Sequence, residues 1–192
     1  MSFPVSLTRD DLVAFDTLDL LPLRQIVRAT HASTTALGGQ SFLDGLSRPA
    51  RFRILRHGPG GQILARNGLA LAEAQLVLRQ AYGSSIAFAT PTVHRLIDHA
   101  TGTTLVPVMF LRIDAPRAYR RDLLQMLGER SAEPRGIAIE RNRIVLRMEV
   151  LLSCLIGLER QVLEHTDGAA HILCCLARYG PGRDGVAGGA HA

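Results

Sequence analysis

The sequence predicts an α+β fold over residues 105–179, on two observations. Apolar residues alternate with period two in four short runs, and two stretches at helical spacing separate those runs in the order β-α-β-β-α-β. The clearest run is Arg143 to Val150, where Ile144, Leu146, Met148 and Val150 point one way and Arg143, Val145, Arg147 and Glu149 the other. Just before it, Gly136 to Glu140 carries Ile137 and Ile139 at the same period. Only Arg141-Asn142 separates the two, the spacing of a tight antiparallel hairpin.

The remaining elements follow in order. Pro107 to Asp114 is the first strand, with Met109, Leu111 and Ile113 alternating against Val108, Phe110 and Arg112. Asp114 and Pro116 form a helix start, an acceptor side chain ahead of a proline at the first helical position. Tyr119, Leu123, Leu124 and Leu127 then recur at helical spacing, and Gly128 supplies a stop. After the hairpin, Leu152, Leu155, Ile156, Leu158, Val162 and Leu163 make a second apolar stripe closed by Gly168, and Ala170 to Ala177 is the last strand. With right-handed crossovers this order closes as a ferredoxin-like split βαβ sandwich, both helices on one sheet face. A fold of this kind hosts many unrelated functions, so function has to come from the residues.

The 192 residues suffice for one domain or two small ones, and no apolar run is long enough to span a bilayer. Met1-Ser2-Phe3-Pro4 lacks the order of a signal peptide, so a cytoplasmic location is expected. Cys154, Cys174 and Cys175 include an adjacent pair and an odd total, which suits buried thiols rather than disulfides or a zinc site. All 22 basic residues are arginine. The absence of lysine excludes a Walker-type phosphate loop, a Schiff-base enzyme and a kinase-type active site, each of which needs that amine. A net charge of +5 predicts attraction to polyanions, and guanidinium groups grip phosphate in pairs and stack on bases. RNA is the natural partner; a solvated arginine surface is the alternative.

Upstream the signals are weaker. Leu12, Phe15, Leu20, Leu23, Ile26 and Val27 suggest one or two helices interrupted at Pro22, with Thr8 to Asp11 as a cap, so residues 1–47 are read as helical and unassigned. Gly39-Gln40-Ser41 lacks the second glycine of a nucleophile elbow. Ala50 to Leu55 reads as a strand, and the glycine-rich turn His57 to Gly61 before Gln62 to Arg66 reads as a hairpin rather than a phosphate cradle, since no lysine and no clear helix follows. Leu69 to Gln80 is apolar, strand or short helix. Thr90-Pro91 opens a helix through Ala100 with Val93, Leu96 and Ile97 inward, ended by Gly102. His94 and His99 on it are five apart and face differently, so no shared metal is expected.

Thr90-Pro91, Gly102-Thr103, Leu105, Pro107, Ala115-Pro116, Tyr119, Glu149, Thr166-Asp167-Gly168 and Tyr179 carry a resemblance. In order and nearly in spacing they resemble the C-terminal part of the tetracycline-resistance ribosomal-protection proteins, which are similar to elongation factor G. The resemblance covers about Leu69 to Tyr179. The chain differs from the family at Val106, where an acidic residue is usual, at Leu151, where proline is common, and at Ala169, where arginine follows the glycine.

The resemblance implies a partial fourth-domain-like region at residues 1–103 and a fifth-domain-like ferredoxin fold at 104–180, while the Gly- and Ala-rich composition of residues 181–192 reads as a disordered tail. The resemblance favours a strand from about Gln75. It also makes Tyr82 to Ala89 the counterpart of the tip loop that reaches the decoding centre and displaces tetracycline. There Tyr82 and Phe88 would stack on unpaired bases, and Ser84 and Ser85 would bond phosphate or ribose hydroxyls. Arg117, Arg120 and Arg121 on the first helix, with Arg141 and Arg143 at the hairpin, would form a positive rim for ribosomal RNA. The family's GTP-binding domain has no counterpart here. The expectation is a non-enzymatic ribosome-binding module with no cofactor or metal, GTP entering only through a separately supplied GTPase domain. The alternative is a ferredoxin-like interaction or oligomerisation domain without the ribosome.

Overall fold

A computed structural model of the chain describes residues 18–30, 37–132 and 134–181. In chain order the elements are β1 (Leu23–Ala29), α1 (Gln40–Leu46), β2 (Phe52–His57), β3 (Gly60–Ala65), α2 (Gly68–Tyr82), β4 (Ile86–Phe88), β5 (Thr92–Val93) and β6 (Leu96–Ile97). There follow β7 (Thr104–Pro116), α3 (Arg120–Glu129), β8 (Gly136–Glu140), β9 (Arg143–Leu151), α4 (Leu152–Leu155), α5 (Leu158–His165) and β10 (His171–Pro181).

The second half is the expected sandwich. Its sheet runs β10-β7-β9-β8, all antiparallel, with β6 added to β7. Alternation places Met109, Leu111, Ile113, Ile144, Leu146 and Met148 beneath the helices, all essentially inaccessible to solvent. α3 answers with Leu123, Met126 and Leu127 at helical spacing, and α5 with Leu158 and Val162.

Its details depart from expectation at the helix ends. β7 continues through Pro116, so Asp114 is a strand residue held by Arg143 and not a helix cap. The single helix expected after the hairpin is broken, because Gly157 takes φ +80°, a conformation that ends α4 and starts α5. Its C-terminus closes through Gly168, whose N–H reaches the Leu163 carbonyl at 2.8 Å. The buried Thr166 hydroxyl donates to the Val162 carbonyl at 2.8 Å and accepts from the Ala170 N–H at 3.2 Å, tying this helix end to the start of β10.

The first half is a second complete sandwich where the sequence predicts a partial one. Its order is again β-α-β-β-α-β and its sheet runs β2-β3-β1-β4, the same arrangement of first, second, third and fourth strands as in the other half. Three readings are corrected here. Leu23 to Val27 lies in a strand rather than a helix. Leu69 to Gln80, with no strand from Gln75, belongs to α2, capped by Asn67, whose side chain accepts the Ala70 N–H at 2.9 Å. The stretch from Thr90 to Ala100 is extended: β5 pairs with β1 and β6 with β7, which covers otherwise open strand edges. The expected hairpin of Ala50 to Arg66 is present as β2 and β3. Residues 1–17 and 182–192, which hold the start of the first expected helix and the tail beyond Pro181, lie outside the described residues; Pro181 itself, expected in the tail, is the last residue of β10 and pairs with Leu105.

The two sandwiches meet along α2, α5 and β10. Glu159 of α5, only 2% exposed, reaches across to the start of α2, where its Oε2 accepts the Leu69 N–H at 3.2 Å. Gly68 permits this, since a Cβ there would stand 2.6 Å from that same oxygen. Burial pushes the Glu159 carboxyl above its ordinary value, partly offset by the Gly68 and Leu69 amides. Beside it the Asn67 amide donates to the Cys174 carbonyl at 3.0 Å. At the far end the Tyr179 hydroxyl donates to the Asp19 carbonyl at 2.8 Å, and Asp19 pairs with His94 at 3.0 Å. Core residues of both halves form one continuous apolar cluster. No helix among the described residues is long and apolar enough to cross a membrane.

Candidate nucleic-acid interface

The pairing of β7 with β9 decides where the arginines of the second half go. Register sets Pro116 opposite Arg143, so the turn after β8 lies against the chain leaving β7. The Arg117 N–H donates to the Asn142 carbonyl at 2.8 Å and fixes that contact. Arg117 opens a short 3-10 turn that leads into α3, whose first two residues are Arg120 and Arg121. The hairpin Arg141-Asn142 thus stands beside the helix start, and Arg117, Arg120, Arg121 and Arg141 are all exposed at one end of the sandwich.

None of these four has an ion-pair partner among the described residues. Asp122, next to Arg121 in the chain, is turned to His165 at 3.0 Å. Arg141 sits at φ +53°, where an L side chain is held at a cost of about 1–2 kcal/mol. A two-residue turn forces this position, and the side chain projects outward from it. Arg143 is employed differently. Its guanidinium bonds the Asp114 carboxylate, the Asp114 carbonyl at 3.0 Å and the Ala169 carbonyl at 3.4 Å, so it stitches β7, β9 and the entry to β10.

Tyr82, Ser84, Ser85 and Phe88 belong to the other sandwich. The stretch expected as a loop is the end of α2, a 3-10 turn at Gly83–Ser85 and strand β4 paired with β1. The Tyr82 hydroxyl accepts the Gly38 N–H at 3.0 Å, and its ring meets Phe42 edge-on at 6.2 Å. Phe88 is half-buried with the Arg79 guanidinium 5.0 Å from its ring centre. The carbonyls of Ser84 and Ser85 accept from the hydroxyl and N–H of Thr30 at 3.1 and 3.0 Å. Both aromatic rings are therefore engaged in packing, and the group is not joined to the arginine end.

No family model and no curated protein matches the sequence. Among solved structures the chain is similar to a crystal structure of a protein from Thermus thermophilus, with TM-score 0.60 at 14% identity over 94% of this chain. That likeness is one of fold. The chain spans 44% of that protein's length, less than half.

Proposed function

We propose that this chain is a ribosome-binding module which uses the arginine end of its second sandwich to hold ribosomal RNA. What carries the reading is the convergence of Arg117, Arg120, Arg121 and Arg141, distant in part along the chain, into one exposed cluster without ion-pair partners among the described residues. Guanidinium groups left free of carboxylates are available to phosphates, and each contact adds to the salt dependence of binding. The resemblance to ribosomal-protection proteins and elongation factor G gives the RNA its identity. A role in tetracycline resistance, and a GTPase domain acting in trans, belong to the same proposal. Nothing in the arrangement calls for catalysis by this chain itself. The test is cosedimentation with ribosomes across a salt series. Pelleting that weakens as salt rises and is lost in the Arg117, Arg120, Arg121 and Arg141 glutamine variant supports the proposal, and pelleting no greater than that of an uncharged control protein rejects it.

One observation favours the alternative, a self-association domain. The edge strand β8 presents Ile137 and Ile139, 48% and 45% exposed, beside an unpaired backbone edge. A second copy pairing there would give a dimer on size-exclusion chromatography that Ile139→Lys disperses.

A further inference from the structure

The sheet β10-β7-β9-β8 has its helices on one face only, and the character of the other face follows from the register. Arg112 of β7 lies directly opposite Arg147 of β9, flanked by Leu173 on β10 and Gly136 on β8. One row along are Cys175, Phe110 and Glu149, and on the other side His171, Asp114, Val145 and Ala138. Five arginines share this face or its rim: Arg112, Arg135, Arg143, Arg147 and Arg178. Against them stand Asp114, Glu149 and, at the end of β8, Glu140.

The acids are already shared. Asp114 is held by Arg143 and stands 3.7 Å from Arg112, while Glu149 bonds Arg178 and stands 4.0 Å from Arg135. Arg147 has no ion-pair partner among the described residues. Two like charges directly opposed on neighbouring strands destabilise a sheet. The opposition is relieved by an anion placed between them. Phe110 lies half-buried in the adjoining row, and Leu173 is 52% exposed in the same row as the arginine pair. Four strands about 4.8 Å apart make a face roughly 15 Å wide. Flat and apolar groups therefore alternate with cations over the width of a single nucleic-acid strand.

We infer that this open face binds single-stranded RNA, with Arg112 and Arg147 clamping a phosphate and Phe110 supporting a base. Guanidinium planes and aromatic rings both accept unpaired bases, whereas duplex bases are already stacked. The surface is distinct from the arginine end and does not depend on the ribosome, so either assignment can fail without the other.

The experiment is fluorescence anisotropy with a labelled oligouridine and the full chain. The Arg112→Gln, Arg147→Gln double variant is expected to bind at least about tenfold more weakly. Its slope of log affinity against log salt is expected to be shallower by roughly 0.7, one single-strand phosphate contact. Phe110→Leu is expected to lose about fivefold to a hundredfold. Arg120→Gln with Arg121→Gln is expected to weaken ribosome pelleting by far more than it weakens oligouridine binding, the reverse of the Arg112→Gln, Arg147→Gln variant. Should the double variant fail to fold, Arg147→Gln alone is expected to lose at least about threefold and half of that slope change. Oligouridine binding by the double variant equal to that of the parent chain overturns the inference, as does equal competition by an RNA duplex or no binding by the parent chain.

Discussion

The two sandwiches share one strand order and differ in how their strands are built. In the second half β7, β9 and β10 run 13, 9 and 11 residues, long enough for period-two alternation to bury a whole face. In the first half β1, β2 and β3 run 7, 6 and 6 residues, and β4 only 3. The shorter sheet leans on α2, a 15-residue helix whose own start is secured by Glu159 from the other half. One topology can thus be stabilised mainly by its strands or mainly by a helix and a neighbour. The first half depends on the second more than the reverse.

The largest effects test whether the halves are one cooperative unit. Phe52→Ala in the first and Leu146→Ala in the second each empty a site with no solvent exposure, and each is expected to cost about 3–5 kcal/mol. Because the apolar cluster is continuous, denaturant unfolding followed by circular dichroism should remain a single transition in both variants. Two separated transitions would break the dependence just described.

The next effect lies at the junction. Glu159→Ala removes the acceptor of the Leu69 N–H and is expected to cost about 1–3 kcal/mol, measured as the shift in urea midpoint. Glu159→Gln keeps an acceptor and sheds the buried charge, so it is expected to be neutral or stabilising at neutral pH. The sign follows from burial, which raises the carboxyl in the folded state. Folded protein then binds the proton more tightly than unfolded. This contribution to stability is full below the ordinary carboxyl range and is lost as pH rises through the folded value. A urea midpoint series over pH should show that decline in the parent chain and a flatter profile in Glu159→Gln. A steeper profile in the variant contradicts the assignment.

Smaller effects come from single caps and turns. Asn67→Ala is expected to cost about 1 kcal/mol, since its side chain both caps α2 and bonds the Cys174 carbonyl. Arg141→Gly is expected to stabilise by up to about 1 kcal/mol by relieving the left-handed backbone, while weakening RNA binding. Thermal melts of the two variants should move in opposite directions.

The fold is most legible in the sequence where strands are long. Ile144, Leu146, Met148 and Val150 announce β9 because one face is buried along its entire length, and Arg141-Asn142 marks the hairpin by spacing alone. α2 is harder to read because Leu69 and Leu71 alternate with Ala70 and Ala72 as a strand would. The usable signals are Asn67 as a cap and a run of strong helix formers. Thr90-Pro91 imitates a helix start, but the edges of β1 and β7 recruit the segment as β5 and β6, a tertiary demand with no local trace. At the candidate interface, Arg117, Arg120, Arg121 and Arg141 can be grouped from the predicted topology. The commitment of Arg143 to Asp114 cannot, since it depends on register across two strands. Nor can the packing of Tyr82 and Phe88, whose partners Gly38 and Arg79 become neighbours only through the tertiary fold and the helix end.

The most direct test of the central claim is ribosome cosedimentation of the parent chain beside the Arg117→Gln, Arg120→Gln, Arg121→Gln, Arg141→Gln variant over a range of salt. The parent chain is expected to pellet in a way that fades with salt, and the variant to stay in the supernatant with its fold intact by circular dichroism. Equal pelleting of the two, at every salt concentration, would contradict it.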